Sequence, residues 1–250
     1  VTHDSLSGAY RAIVFDCADT LLRMEPSRAE IFRDTAAAAG FTLPLEDVKR
    51  AYDIVDFAIR MQSSTLKSRG AKLDFYYSVN AALCNVLGIQ RSLSVLHPRL
   101  VGEFGRRRRW HPFPEAGDAL RQLAGRVPLY VLANWDLELA AVLRNAGLDG
   151  FFRDALSSAM LGCEKPERAC FDAFLARTSL DRSTTVYVGN EYIADVLGAR
   201  NAGLTPVLVD RDGTMRSADC VRISSLADLA GALHGHLPDQ ADLHAGKIAI

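Results

Sequence analysis

The chain is short of several things, and each shortage narrows what it can be. It has five cysteines, Cys17, Cys84, Cys163, Cys170 and Cys220, with no CxxC pair and no His/Cys spacing of the kind that grips zinc. An odd count without a pattern suits a reducing cytosol, so a cytoplasmic protein is expected. No apolar run is long enough to span a bilayer, and the opening VTHDSLSGAY lacks the basic-then-apolar order of a secretory signal. No membrane partner is expected. Neither sign of charge is in excess: 29 Lys and Arg face 30 Asp and Glu, for a formal net charge of -1. That balance argues against a general binder of nucleic acid or anionic surfaces. The local exception is the run Arg106 to Arg109. It reads as a solvated helix end beside a favourable dipole, the alternative being a phosphate-attracting patch near a cleft. There is no internal repeat.

What the chain does have is length and apolar content. Its 250 residues are 49% hydrophobic and 24% charged, enough for one large domain or a domain carrying an insertion. AIVF (12–15), LYVLA (129–133), TVYVG (185–189) and TPVLV (205–209) are short β-branched runs that read as buried strands, and DALSS (154–158) is a weaker one. Helical patterns at 114–124, 136–146, 167–177, 192–202 and 225–234 alternate with them. The alternation predicts an α/β fold, a Rossmann-like, doubly wound parallel sheet covered on both faces. Residues 24–110 differ. No convincing strand falls there, and Val48, Tyr52, Val55 and Ile59, then Leu93, Leu96, Leu100 and Phe104, recur at helical spacing, with Tyr77, Ala81 and Cys84 in the same style. Helices over 28–39, 46–61, 72–87 and 92–107 are expected, with a polar loop at 63–74. The expected organisation is a core of 1–23 and 111–250 with a helical insertion of 24–110. The tail beyond about Gly235 has no readable function.

In an open parallel sheet, ligands bind beyond the carboxyl ends of the strands. That rule selects Asp16 after the first strand, Ala133-Asn134-Trp135 after the second, and Gly189-Asn190-Glu191 after a later one, while EKPE (164–167) leads into a helix. The first of these, in AIVFDCADTLL (12–22), is the most telling: a buried strand ends on a carboxylate, and Asp19 follows three residues later. An Asp in that place suits a nucleophile, a pair suits a metal site, and both also suit loop capping.

Taken in order, these pieces resemble the haloacid dehalogenase-like hydrolase superfamily, from about residue 10 to 235. That family has a strand ending in Asp, a second strand ending in a small hydroxyl residue often followed by Asn, a Lys-Pro pair, and a strand ending in Gly-Asp with another Asp about five residues on. The counterparts here are Asp16, Ala133-Asn134, Lys165-Pro166, and Gly189-Asn190 with Asp195. The resemblance implies that the insertion is a helical cap and that the substrate is a small molecule. It implies that Asp16 attacks phosphorus, or carbon in a dehalogenase, and forms a covalent aspartyl intermediate. Lys165 would offset the added charge, and Mg²⁺ would assist in phosphatases, held by Asp16, the backbone carbonyl of Ala18, Glu191 and Asp195. Asp195 would alternatively orient Lys165. Thr20, Asn134, Trp135 and Asn190 would meet the substrate. A monomer or homodimer is expected.

Three positions depart from the family pattern. Ala18 stands where phosphatases carry the Asp that protonates the leaving group, a loss worth about 10²–10⁴-fold in rate. Asp19, one place on, reads as a turn residue; DxxDTL is similar to one subgroup of the family. Ala133 replaces the hydroxyl residue, whose bond to a charged oxygen is worth roughly 1.5–3 kcal/mol. Asn190 replaces a metal-binding Asp, with Glu191 as its stand-in. The departures leave three readings: first, a phosphatase acting on a phosphate ester or acyl phosphate whose leaving group departs unprotonated; a metal-independent 2-haloacid dehalogenase; or a protein that kept the fold and lost hydrolysis, serving as a binding or regulatory partner or as a repurposed enzyme. A phosphonate-cleaving member would need a Schiff-base lysine in the insertion, and nothing marks Lys49, Lys67 or Lys72 for that.

Overall fold

A computed structural model describes residues 9–60, 69–107 and 109–238. In chain order the elements are β1 (Ala12–Phe15), β2 (Leu22–Glu25), α1 (Arg28–Ala37), α2 (Leu45–Arg60), α3 (Arg69–Val86), α4 (Leu93–Arg107), β3 (Arg109–Pro112), α5 (Ala116–Ala124), β4 (Leu129–Ala133), α6 (Leu139–Asn145), β5 (Phe152–Ser157), α7 (Ser158–Leu161), α8 (Arg168–Thr178), β6 (Thr185–Gly189), a π-helical turn (Tyr192–Leu197), α9 (Gly198–Asn201), β7 (Thr205–Val209), β8 (Val221–Ile223) and α10 (Leu229–Ala232).

The sheet has six strands in the order β5-β4-β1-β6-β7-β8, and every strand pair is parallel. The chain works outward from β1 to β4 and β5, then crosses back to place β6 on the other side of β1. The strand order therefore reverses around β1, and the crevice left by such a reversal opens at the carboxyl ends of β1, β4 and β6. All four residues of β1 are buried, as befits a strand covered on both faces. On one face Val14, Leu132, Leu156 and Tyr187 pack under Phe171 and Phe174 of α8 and Ala199 of α9. The chain divides into two compact units, residues 1–23 with 111–250, and residues 24–110.

In the second unit, Phe32, Val48, Tyr52, Val55, Leu83, Cys84, Leu96 and Leu100 form a core of their own. Helix α1 starts at Ser27 because Ser27 and Glu30 cap each other: the Ser27 hydroxyl accepts from the Glu30 amide, and the Ser27 amide donates to the Glu30 carboxylate at 2.8 Å. The apolar spacing of Val48, Tyr52 and Val55 thus marks a buried face. Tyr77 is exposed instead, its ring edge-on to His97 at 5.1 Å. Among the described residues no helix is long and apolar enough to cross a membrane.

Several local expectations need correction. A two-stranded ribbon, β2 with β3, lies at 22–25 and 109–112, where no strand was expected. Its strands do alternate in burial, but four residues are too few for the alternation to stand out. Strand β8 was missed for the same reason. The helix expected at 136–146 begins at Leu139, because the Asp136 side chain accepts from the Glu138 amide and holds a turn there. Residues 192–202 are a π-helical turn followed by a short α-helix. The expected 63–74 loop lies outside the described residues up to position 68, and from Arg69 on it is the start of α3 instead; Lys67, Arg108 and the end of the tail also lie outside the described residues.

The Phe171 ring meets the Tyr187 ring edge-on at 5.4 Å, and a Cβ on Gly198 would come within 2.7 Å of Phe171. This packing leaves little room to collapse. Phe171→Ala is therefore expected to cost about 3–5 kcal/mol in urea denaturation; a loss below about 1 kcal/mol would show that the site relaxes freely.

Candidate active site

At the carboxyl end of β1 the Asp16 side chain meets Lys165, which arrives on the loop before α8. The Lys165 ammonium donates to three acceptors: Asp16 Oδ1 at 2.7 Å, the Tyr187 hydroxyl at 2.7 Å and Asp195 Oδ1 at 2.6 Å. An ammonium has three protons, so all are spent. Asp16 is 8% exposed, Lys165 4% and Asp195 1%. The Tyr187 hydroxyl in turn donates to the Leu132 carbonyl at 2.7 Å. This ties the lysine to β4 as well as to β6.

Each partner is fixed from behind. The second oxygen of Asp195 accepts from the Glu191 amide at 2.8 Å. The π-helical turn returns the chain so that the Asp195 amide also donates to the Glu191 carbonyl at 2.8 Å. A Cβ on Gly189 would lie 2.3 Å from the Asp195 carboxylate, so only glycine lets the strand end and the carboxylate pass this closely. The Asn134 side chain clasps the Lys165 backbone in both directions, its Nδ2 donating to the carbonyl and its Oδ1 accepting from the amide, each at 2.9 Å. The Ser158 hydroxyl bonds both the amide and the carbonyl of Trp135 at 3.1 Å and so fixes the residue after Asn134.

The structure brings Asp16, Lys165 and Asp195 together and gives other expected residues different neighbours. Thr20 is fully buried, and its hydroxyl donates to Asn190 Oδ1 at 2.9 Å, so these two residues, expected to meet the substrate, hold each other. Both side-chain oxygens of Asp195, named as a metal ligand, are engaged by Lys165 and by the Glu191 amide. Asp19 is exposed and left-handed at φ 58°, its amide donating to the Leu22 carbonyl at 2.7 Å. Asp tolerates that conformation, which makes Asp19 the pivot of a turn. Ala18 forms a β-bridge with Leu22, and Ala133 is buried.

Tyr187 and Ser158 were not anticipated. Tyr187 was legible in principle: in TVYVG it is the polar-tipped aromatic of a buried strand, two residues before the glycine, and a buried phenol needs a partner. Ser158 carried no signal, since it acts on a segment 23 residues away.

Burial is the largest influence on Asp16 and pushes its carboxyl up; Lys165 pulls it down, and the negative charges of Asp195 and Glu191 push it up again. The carboxyl is raised to about 7. For Lys165, burial works to lower the value, and the carboxylates of Asp16 and Asp195 outweigh it, holding the ammonium well above its ordinary range. Two carboxylates, those of Asp16 and Asp195, thus share one ammonium, and the charge of Glu191 adds to the field at Asp16. The donor oxygens are of the hard kind that Mg²⁺ takes, and that ion accepts one or two carboxylates with water and phosphate completing its shell. Among the described residues, however, no group of three or more His, Cys, Asp or Glu side chains could hold a metal ion. The donors fit Mg²⁺ in kind and are few in number.

The sign of the pH effect follows. In metal-free protein the Asp16 carboxyl is expected to lose its proton as the pH rises through about 7. Glu191→Gln removes one of the charges that raise it, so the titration should move to lower pH. Carbon-13 NMR of the aspartate carboxyl groups measures this; a midpoint near 4, or one unmoved by Glu191→Gln, would contradict the electrostatic account.

Comparison with known proteins agrees with the geometry. The family model of haloacid dehalogenase-like hydrolases matches residues 10–203. The chain is similar to glyceraldehyde 3-phosphate phosphatase of Methanothermobacter thermautotrophicus, at 26% identity over 222 residues, 86% of this chain and 92% of the other. Among solved structures it is similar to YfnB of Bacillus subtilis, described as a HAD-hydrolase bound to magnesium, at TM-score 0.71 and 22% identity, with 90% of this chain and 99% of that one covered. It is also similar to 2-haloacid dehalogenase of Pseudomonas syringae pv. Tomato DC3000, at TM-score 0.57 and 26% identity over 90% and 98% of the two chains. With a matching motif order, a parallel sheet reversing around β1 and a buried Asp–Lys pair at the strand end, the chain belongs to the haloacid dehalogenase-like hydrolases.

Proposed function

We propose that the protein is a small-molecule phosphatase in which Asp16 is the nucleophile, acting on a phosphate ester or acyl phosphate whose leaving group is acidic enough to depart without a proton. The observation that carries this is the buried Lys165 ammonium 2.7 Å from Asp16 Oδ1, braced by Asp195 and Tyr187. It fixes one carboxylate oxygen and leaves Oδ2 to attack. A carboxylate is a weak nucleophile, and it becomes effective through alignment with the reacting centre and nearby positive charge. Asp16 Oδ2 forms a bond to phosphorus while the bond to the leaving oxygen breaks, and that oxygen takes the electron pair. Water then attacks phosphorus as the bond from phosphorus to Oδ2 breaks; the carboxylate of Asp16 takes back the electron pair, and the water's protons go to the released phosphate and to solvent.

The missing acid sets the substrate class. With Ala18 at the position where the family's phosphatases protonate the leaving alkoxide, a simple alkyl ester would leave as a strong base. An acyl, enol or aryl phosphate avoids that. Asp16, the Ala18 carbonyl and Glu191 are the residues that would hold Mg²⁺, which when bound stabilises charge on the phosphoryl oxygens. Asp195 is assigned to holding Lys165, and Asn134 to holding the lysine's backbone. The helical unit of residues 24–110 is assigned the part of a cap that selects the substrate. The phosphatase of similar sequence, acting by its name on glyceraldehyde 3-phosphate, supports the small-molecule class.

A second reading, a metal-independent 2-haloacid dehalogenase, is favoured by the same Ala18, since halide leaves as an anion and needs no acid. The 26% identical dehalogenase points the same way.

Purified protein assayed with acetyl phosphate, p-nitrophenyl phosphate and 2-chloropropionate, each with Mg²⁺ and with EDTA, separates the readings. Metal-dependent phosphate release from the first two, reduced about 10³-fold or more in Asp16→Asn, is expected, because removing a nucleophile removes the covalent route. Chloride release in EDTA would support the dehalogenase instead. A stable fold with no turnover of any of the three would contradict both.

A further inference from the structure

The loop that follows the nucleophile, residues 17–22, folds tightly on itself. The Cys17 carbonyl accepts from the amides of both Leu21 and Leu22, at 2.9 and 3.0 Å, and Asp19 turns the chain through a left-handed residue. Such a turn leaves its own carbonyls facing outward, and these need partners. They find them in residues far away in the sequence. Arg211, two residues beyond the end of β7, donates from Nη2 to the Thr20 carbonyl at 3.0 Å and, more weakly, from Nε to the Asp19 carbonyl at 3.4 Å. The Phe113 amide donates to the Leu21 carbonyl at 3.0 Å. Three consecutive carbonyls are thus held by one block.

That block is itself braced. The Arg211 guanidinium stacks on the Phe113 ring, 3.5 Å from its centroid, and Nη1 donates to Glu115 Oε1 at 2.6 Å. Both side chains of the ion pair are only about a fifth exposed, at 21% and 22%. From Thr20 the connection runs to Asn190 through the side-chain hydroxyl, reaching the strand end that carries Gly189 and Glu191. The two loops that flank Asp16 are therefore fastened to each other and, through Arg211, to the segment after β7. A planar fork of donors is needed for this, together with a flat face for the ring; a lysine ammonium has neither.

We propose that Arg211 is a positioning residue for the nucleophile: its fork holds the Asp19 and Thr20 carbonyls, and so fixes where Asp16 and the Thr20–Asn190 pair stand relative to the reacting centre. Glu115 and Phe113 aim the fork. The kinetic consequence rests on the hydrolase reading above; the structural one does not. Because misplacement by about 1 Å can cost about 10²-fold in rate, the effect should fall on kcat more than on KM.

The test compares wild type with Arg211→Ala, Arg211→Lys and Glu115→Gln. Amide hydrogen exchange is measured over 17–22 and over β4 as an internal control, with Tm, and kcat and KM are measured on whichever panel substrate turns over. Arg211→Ala is expected to speed exchange over 17–22 by about 10-fold or more with β4 unchanged, and to lower kcat by about 10–100-fold with KM within about 3-fold. Arg211→Lys should fail to rescue either quantity although it keeps the charge opposite Glu115, and Glu115→Gln should show a smaller change of the same kind. Unchanged exchange over 17–22 in Arg211→Ala, full rescue by lysine, or exchange that rises equally in β4 would overturn the proposal. If wild type turns over none of the substrates, the hydrolase reading fails, and the exchange measurement alone decides whether Arg211 holds the loop.

Discussion

The site depends on one ammonium group. Lys165 spends its three protons on Asp16, Tyr187 and Asp195, each within 2.7 Å, in a region where none of Asp16, Lys165 and Asp195 is more than 8% exposed. A buried charge is costly unless paired and hydrogen-bonded, so each member is there on account of the others. Removing the lysine would leave two carboxylates close together in a poorly solvated place. Removing Asp195 would free the ammonium to swing from Asp16. The strand-end glycine, the π-helical turn and the cap-like side chain of Asn134 all serve this one arrangement. They bring Asp195 against β6, return the chain so that Glu191 can donate to it, and clamp the lysine's backbone.

The sheet explains why these groups converge. Reversal of strand order around β1 brings together the carboxyl ends of β1, β4 and β6. Asp16 ends the first, Asn134 follows the second, and Tyr187 and Gly189 lie in the third. The lysine comes from none of them and must be carried in by a loop, which is why its backbone needs a clamp and its head needs a phenol. The balance of charge then shapes the chemistry. Burial raises the Asp16 carboxyl, Lys165 draws it down, and the charges of Asp195 and Glu191 push it up again, to about 7. It is a stronger base than an exposed aspartate would be.

Much of this was legible in the sequence, and what was not has physical causes. The strands of the sheet core showed themselves as β-branched runs, and β1 matched over Ala12–Phe15. Asp16 and Lys165 were named from motif order and do meet. What the sequence could not give was which side chains are spent on each other. Thr20 and Asn190 look like two ligands for a substrate until the hydroxyl is seen to donate to the amide oxygen 170 residues away. Asn134 looks like a third, yet its amide is taken up by a backbone. Tyr187 is hidden inside an apolar strand. Strands of three or four residues, such as β8 and β2, are too short for their pattern to stand out from the chain around them. Long-range pairing of polar groups has no local pattern, and that is where sequence reasoning stops.

The central claim is that Asp16, held by Lys165, makes a transient covalent bond to what it hydrolyses. Mass spectrometry of enzyme quenched with acid during turnover tests this most directly. The account predicts an added mass on the peptide containing Asp16, matching the transferred group, and its disappearance when Lys165 is replaced by methionine. Turnover with no adduct on that peptide, or with an adduct on another residue, would contradict it.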